Sequence, residues 1–198
     1  MKRIIILSIC AAALVAGSTK ASAQQITEKD TTYVTYPFDD PDPVVADARL
    51  YPYFRYDGYS QTSVPKEWKM VVLENDLLRI RIRPEIGGKV WSVVDKKSGR
   101  EMFYDNKVIK FRDISLRGPW TSGGIEFNFG IIGHAPTCAS AVDYKTVRKA
   151  DGVSCYISSF ELLTRTHWTI EIFLPKDAGF FRTTTTWSNT SVRFQPYY

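Results

Sequence analysis

The residues best suited to bind a polar ligand lie in one stretch of the sequence, from Trp120 to His134. The indole of Trp120 offers an aromatic face on which the C–H face of a sugar ring can stack. Glu126 and Asn128 are two residues apart, so on an extended strand both side chains would point the same way. A carboxylate and an amide side by side can bind the vicinal hydroxyls of a saccharide. We therefore predict a saccharide-binding site at Trp120, Glu126 and Asn128.

The same stretch could also carry catalysis. His134 follows a glycine in a loop-like context, where an imidazole that titrates near neutrality can act as a general acid or base. Glu126 is the second candidate catalytic group, and the glycines at 123–124 would let a substrate approach the backbone closely. Structural roles are the alternative, with Glu126 and Asn128 capping loops and Trp120 filling a core. Both interpretations stay open at the level of sequence.

Three arginines lie on one face of a strand. Arg79, Arg81 and Arg83 alternate with apolar residues, a pattern typical of a strand with one buried face and one polar face. If the polar face lines a concave sheet, Arg81 could reach a sugar oxygen and join the binding site. A solvated arginine face is the alternative interpretation.

Metal and cofactor chemistry receive no support from the sequence. It contains two histidines, His134 and His167, and no close spacing of histidine and carboxylate ligands. Neither a G-x-S-x-G motif nor a phosphate-binding G-x-x-x-x-G-K-[ST] motif occurs, so serine hydrolase and nucleotide chemistry are not indicated. We expect no metal and no cofactor.

Two cysteines, Cys138 and Cys155, lie in the part of the chain that follows the amino-terminal segment. An oxidising compartment would permit a disulfide between them. Cys155 also alternates with apolar residues along one strand face, which is typical of a buried free thiol. A disulfide and two buried free thiols both remain open.

The amino terminus has the three parts of a secretory signal peptide. Lys2 and Arg3 are followed by an uncharged apolar run at 4–16, and Ala21 and Ala23 provide the small residues of a cleavage site. The apolar run is too short for a membrane span. We predict a signal peptide at residues 1–23, cleavage after Ala23, and a periplasmic or secreted mature protein.

The charge of the mature chain is nearly balanced. Of the 26 Lys and Arg residues, three lie in the predicted signal peptide, which leaves 23 against 21 Asp and Glu residues. The sequence contains no block of five or more basic residues, so it gives no support to nucleic-acid binding. We also expect no membrane span after processing, because no other segment is long and apolar enough.

The mature chain divides by composition into two parts. Residues 24–67 are rich in proline and aromatic residues, and we predict an extended arm with a short strand at 31–36. From residue 68 onward apolar side chains alternate with polar ones, and short turns separate the runs. This pattern predicts an all-β antiparallel sandwich at 68–198. The predicted strands are 70–73, 78–83, 89–94, 142–148, 153–163, 168–174, 180–187 and 192–198.

Several motifs resemble known families. The stretches at 73–76, 84–90 and 95–101 are similar to the opening of galactose-mutarotase-like domains, with a Leu-Glu-Asn start, a Gly-Gly turn and an Asp-Lys hairpin. The run Trp-Thr-Ser-Gly-Gly-Ile-Glu-Phe-Asn at 120–128 resembles a bacterial family known as a domain of unknown function. That resemblance implies part of a large β-supersandwich, truncated at its carboxyl end, and relatives with carboxyl-terminal tetratricopeptide repeats.

These observations support three functions. The first is an exported protein that binds a mono- or oligosaccharide on the concave face of a sandwich. The second is a mutarotase-like or glycoside-processing enzyme that uses Glu126, His134 or both. By resemblance a mutarotase places its glutamate base later in the chain, and glycoside hydrolysis requires a second carboxylate. The third is a protein-interaction scaffold.

Overall fold

The computed structural model describes residues 24–37, 60–113, 119–129, 134, 136–161 and 164–195. The predicted signal peptide and residues 38–59 of the predicted arm lie outside these ranges. The described residues form twelve β-strands and one four-residue 3-10 helix, Pro136–Ala139. The strands are β1 (Gln25–Tyr36), β2 (Val64–Glu74), β3 (Leu78–Arg83), β4 (Lys89–Asp95), β5 (Arg100–Glu101), β6 (Val108–Lys110), β7 (Arg112–Asp113), β8 (Pro119–Trp120), β9 (Asp143–Arg148), β10 (Gly152–Glu161), β11 (Thr166–Pro175) and β12 (Arg182–Asn189).

Two sheets pack face to face, which confirms the predicted all-β sandwich. The large sheet has six strands in the order β5-β4-β3-β2-β1-β6, and the small sheet has the order β12-β11-β10-β9. Neighbouring strands are antiparallel except that β1 and β6 run parallel. A separate pair, β7 and β8, lies before the candidate site. In the described part of the chain, no helix is long and apolar enough to cross a bilayer.

The core lies between the two sheets and follows the period-two pattern of the sequence. Side chains at alternate positions of β2, β3, β10 and β11 are fully or nearly fully buried against one another. Burial of each such aliphatic side chain contributes about 1.5–3 kcal/mol. The main members are Val71, Leu73, Leu78, Ile80, Ile82, Val153, Cys155, Ile157, Trp168, Ile170, Ile172 and Leu174.

The first part of the predicted arm is a strand of the large sheet. The sequence predicts a short strand at 31–36, whereas β1 runs over twelve residues and pairs with β2 from Gln25 opposite Glu74 to Thr35 opposite Val64. Most side chains of β1 are exposed or half-buried, so the apolar alternation that marks the other strands is weak here. Backbone pairing on both sides, to β2 and β6, holds the strand instead.

The predicted strand at 192–198 is wrong over its described part, residues 192–195. Asn189 Oδ1 accepts hydrogen bonds from the backbone N–H and the hydroxyl of Ser191, and Asn189 Nδ2 donates to the Arg193 carbonyl. These local bonds form a turn that competes with strand pairing. Val192 and Phe194 are almost completely exposed, so neither side chain packs against a sheet.

Candidate functional site

The segment at 121–129 is attached to the large sheet by one backbone bridge. Val90 and Ile125 exchange two hydrogen bonds, of 3.1 and 2.9 Å, which extends the sheet beyond β4. Gly124 has φ +63°, and a Cβ there would lie 2.1 Å from the Val90 carbonyl oxygen. Gly123 has φ +91°, and a Cβ there would lie 2.5 Å from the Tyr104 carbonyl oxygen. These glycines therefore allow one backbone to approach another.

The bridge determines which side chains face the core. Ile125, Phe127 and Phe129 pack against the core cluster. Because side chains alternate along an extended chain, Glu126 and Asn128 occupy the other side, as their spacing predicts. Both are half-buried, so they are neither sealed in the core nor free in solvent.

Three of the predicted site residues lie together. His134 Nδ1 is 2.5 Å from Glu126 Oε1, and the His134 ring lies beside Trp120 with 5.7 Å between ring centroids. The backbone of His134 adopts φ +53°, an unusual conformation for a residue with a side chain. The half-buried indole, imidazole and carboxylate form one continuous polar and aromatic patch, which we call the Trp120 cluster.

A buried lysine that the sequence analysis missed lies beside this cluster. Lys89, the first residue of β4, donates hydrogen bonds from Nζ to the carbonyl and the hydroxyl of Thr121 and lies 4.0 Å from Glu126 Oε2. Burial lowers the pKa of Lys89, and the nearby Glu126 carboxylate partly opposes this effect. A lysine directly after Gly87-Gly88, at the start of a mostly apolar strand, was the signal available in the sequence.

Asn128 is not part of the Trp120 cluster and contacts a buried cysteine beside it. The Cys138 thiol in the 3-10 helix lies 3.1 Å from Asn128 Oδ1 and is positioned to donate to it. Burial raises the pKa of Cys138 well above its usual value, with Glu126 adding to the effect. The thiol is therefore protonated at neutral pH and a poor nucleophile.

The disulfide between Cys138 and Cys155 is not formed. Both cysteines are free and buried. Cys138 is directed toward Asn128, while Cys155 belongs to the core between the sheets, where burial raises its pKa to about 12. The described residues also include no group of three or more His, Cys, Asp or Glu side chains that could hold a metal ion.

Within the described residues, Arg81 pairs with Asp105 and not with a member of the Trp120 cluster. Its Nη1 lies 3.4 Å from Asp105 Oδ2, on the face of the large sheet that points away from the core. The arginine face is not uniformly solvated, because Arg83 is fully buried while Arg79 and Arg81 are partly exposed.

Comparison with known proteins places the chain in a family. The sequence model of DUF5107, described as a domain of unknown function, matches residues 45–198. The chain belongs to the DUF5107 family. The DUF5107 chain is also similar to the crystal structure of a TPR-domain containing protein from Parabacteroides distasonis ATCC 8503, with 27% identity and a TM-score of 0.73. The match covers 83% of this chain and 29% of that protein, so this chain spans less than a third of its length.

The buried lysine of this DUF5107 domain predicts a pH dependence of stability. The ordinary lysine pKa is 10.5 and the folded-state pKa is lower, so between these values the unfolded chain binds a proton that the folded chain lacks. The free energy of unfolding should therefore rise with pH across this window. Denaturant titrations from about pH 7 to 10.5 should show a smaller rise in Lys89→Met than in the wild type.

A matched control is Lys97→Met, since Lys97 is exposed in the hairpin turn after β4. This variant should keep the wild-type pH dependence. If Lys89→Met and the wild type change with pH in parallel, the pKa of Lys89 is the same in the folded and unfolded chains, which contradicts the prediction.

Proposed function

We propose that this DUF5107 domain is an exported carbohydrate-binding protein and that the Trp120 cluster binds a mono- or oligosaccharide. The observation that carries the proposal is the arrangement of a half-buried indole beside an imidazole that contacts a carboxylate at 2.5 Å. Export rests on the signal-peptide pattern at residues 1–23. The β-sandwich and the resemblance of its opening motifs to galactose-mutarotase-like domains add support for a sugar as the ligand.

The chemistry of the cluster suits a sugar better than an apolar ligand. The Trp120 ring supplies the surface for C–H stacking. Glu126 can accept hydrogen bonds from hydroxyls, and the second ring nitrogen of His134 can donate or accept according to its tautomer. Lys89 places a positive charge 4.0 Å from the Glu126 carboxylate and so balances its negative charge in a half-buried position. The cluster therefore offers directional polar groups without an uncompensated buried charge.

The direct contact between His134 and Glu126 favours binding over mutarotation. A mutarotase needs its acid and its base on opposite sides of the reacting ring. At 2.5 Å, Nδ1 of His134 and Oε1 of Glu126 leave no room for a sugar ring between them. The pair is better suited to orient one carboxylate toward a hydroxyl group.

The test is binding of the mature chain to a panel of mono- and oligosaccharides, followed by tryptophan fluorescence and calorimetry. We expect saturable binding, weakened about 2- to 10-fold in Trp120→Ala through lost stacking. Glu126→Gln should weaken binding by about tenfold or more, because hydrogen bonds to charged groups are stronger. Glu67→Gln is the matched control, since Glu67 is exposed on β2, and it should bind as the wild type does.

Two results would contradict the proposal. Anomer interconversion or glycoside cleavage that Glu126→Gln or His134→Ala abolishes would assign an enzyme instead. Absence of binding to every saccharide, in a chain with a cooperative unfolding transition, would favour the interaction scaffold.

A further inference from the structure

A pocket lies on the face of the large sheet that points away from the core. It crosses β1, β2 and β3 and has a volume of about 420 Å³, within the range of small-molecule sites. Buried Met70 and Val72 contribute apolar surface, and Tyr33 contributes an aromatic ring. The polar side chains that line the pocket include Lys29, Thr31, Glu74, Arg79 and Arg81.

The charge around this pocket is positive. The Glu74 carboxylate is shared by Arg79 at 2.7 Å and Lys96 at 2.6 Å. The Asp105 carboxylate is shared in the same way by Arg81 at 3.4 Å and by Lys107. Each acid therefore faces two cations.

Lys29 adds a further positive charge to the pocket. It is exposed and forms no ion pair with any side chain in the described ranges. A third carboxylate, Glu101, accepts hydrogen bonds from the Ser92 hydroxyl and the Val93 N–H. The cations still outnumber the acids, so the pocket attracts an anion.

Several buried polar atoms without a hydrogen-bond partner in the described structure lie at the same face. All three guanidinium nitrogens of Arg83 are buried and have no hydrogen-bond partner within the described structure. The same holds for Oγ1 of Thr31, which lines the pocket, and for Oδ1 of Asp105, which bonds to Arg81 through its other oxygen. Native proteins leave few buried polar groups unpaired, and such groups commonly mark a missing water or ligand.

Tyr33 connects the pocket to the buried arginine. Its ring lines the pocket, and the Arg83 guanidinium carbon lies 4.0 Å from the ring centroid. Trp91 lies on the same guanidinium at 5.3 Å. Arg83 is the next outward residue along β3 after Arg81, so its positive charge lies beneath the Tyr33 side of the pocket. A carboxylate beside Tyr33 would be held by Arg81 and Lys29 and stabilised by the charge of Arg83.

We propose that this pocket is a second ligand site, separate from the Trp120 cluster, and that it binds a carboxylate-bearing sugar such as a hexuronate. The carboxylate pairs with Arg81 and Lys29. The sugar hydroxyls bond to the polar side chains that line the pocket, among them Glu74 and Arg79, and the ring stacks on Tyr33. A neutral sugar would leave Lys29 without a counter-charge, and a bare anion would leave the aromatic face of Tyr33 unused.

The test compares glucuronate, glucose and acetate by calorimetry on the mature chain at fixed ionic strength. We expect saturable binding of glucuronate alone. Arg81→Gln should weaken it about tenfold, through loss of a charged hydrogen bond, and Lys29→Gln about threefold, because the exposed lysine acts mainly through its charge. Arg182→Gln, at an exposed arginine on β12, should bind glucuronate as the wild type does.

The controls separate this site from the Trp120 cluster. Lys29 is exposed, so Lys29→Gln should unfold at the wild-type temperature, which keeps the test valid if Arg81→Gln is less stable. Equal affinity for acetate and glucuronate would overturn the sugar and leave an anion site. Glucuronate binding that Trp120→Ala abolishes and Lys29→Gln leaves unchanged would overturn the pocket and assign the ligand to the cluster.

Discussion

Replacing Gly124 with alanine is expected to lower the free energy of unfolding by about 3 kcal/mol or more. A residue with a side chain at φ +63° costs about 1–2 kcal/mol. The new Cβ would also lie 2.1 Å from the Val90 carbonyl oxygen, so the backbone must separate there. The two hydrogen bonds between Val90 and Ile125 would then be lost, at about 0.5–1.5 kcal/mol each. Thermal unfolding should occur about 6–12 °C lower than in the wild type.

Gly99→Ala provides the matched control for Gly124→Ala. Gly99 has a similar φ of +71°, but a Cβ there would meet no atom within 4 Å. The free energy of unfolding of this variant should fall only by the cost of a side chain at positive φ, about 1–2 kcal/mol. The difference between the two variants measures the close approach of the 121–129 segment to β4. If both variants lose the same stability, that approach is absent in solution. Saccharide affinity should fall in Gly124→Ala alone.

Replacing Trp168 with alanine should destabilise the domain by about 3–5 kcal/mol, as expected for a large aromatic side chain removed from a core. Trp168 is fully buried on β11 and belongs to the core cluster. Its ring stacks on Phe129 with 5.1 Å between centroids and 21° between planes. Because Phe129 lies next to Asn128, the loss should also loosen the segment that holds Glu126. Denaturant titration and saccharide affinity should both report the change.

Trp168→Phe separates the effect of ring stacking on Phe129 from the effect of side-chain volume. Phenylalanine keeps an aromatic ring against Phe129 and removes the indole N–H, which is buried without a hydrogen-bond partner in the described structure. We therefore expect a cost of about 1–2 kcal/mol and nearly wild-type saccharide affinity. Equal losses in Trp168→Ala and Trp168→Phe would mean that the stacked ring does not support the site.

The sequence predicted the strands with one apolar face closely. The predicted strand at 78–83 is β3 itself, and the one at 89–94 ends one residue before β4 does. The spacing of Glu126 and Asn128 predicted that both side chains point the same way on a strand, and the residues that alternate with them, Ile125, Phe127 and Phe129, pack against the core. Period-two alternation reflects a local property of the extended chain, namely that successive side chains point to opposite sides.

Strand β1 and the turn at 189–193 were harder to predict. The polar side chains of β1 carry little alternation, and its place between β2 and β6 depends on backbone pairing with residues far along the chain. The residues at 192–195 look like a strand by composition, but local hydrogen bonds from Asn189 prevail. Propensity is a weak guide wherever tertiary or local polar contacts compete with it.

The sequence alone determined the sandwich class and the main strands and offered Trp120, Glu126 and His134 as candidates, because side-chain alternation and residue chemistry are local properties. Only the tertiary structure decided that His134 contacts Glu126, that Lys89 is buried beside them, and that Arg83 is buried while Arg81 stays near solvent. Burial and ion pairing depend on which distant segments meet. Lys89 and Glu126 are far apart in the sequence, and the bridge between Val90 and Ile125 brings them together.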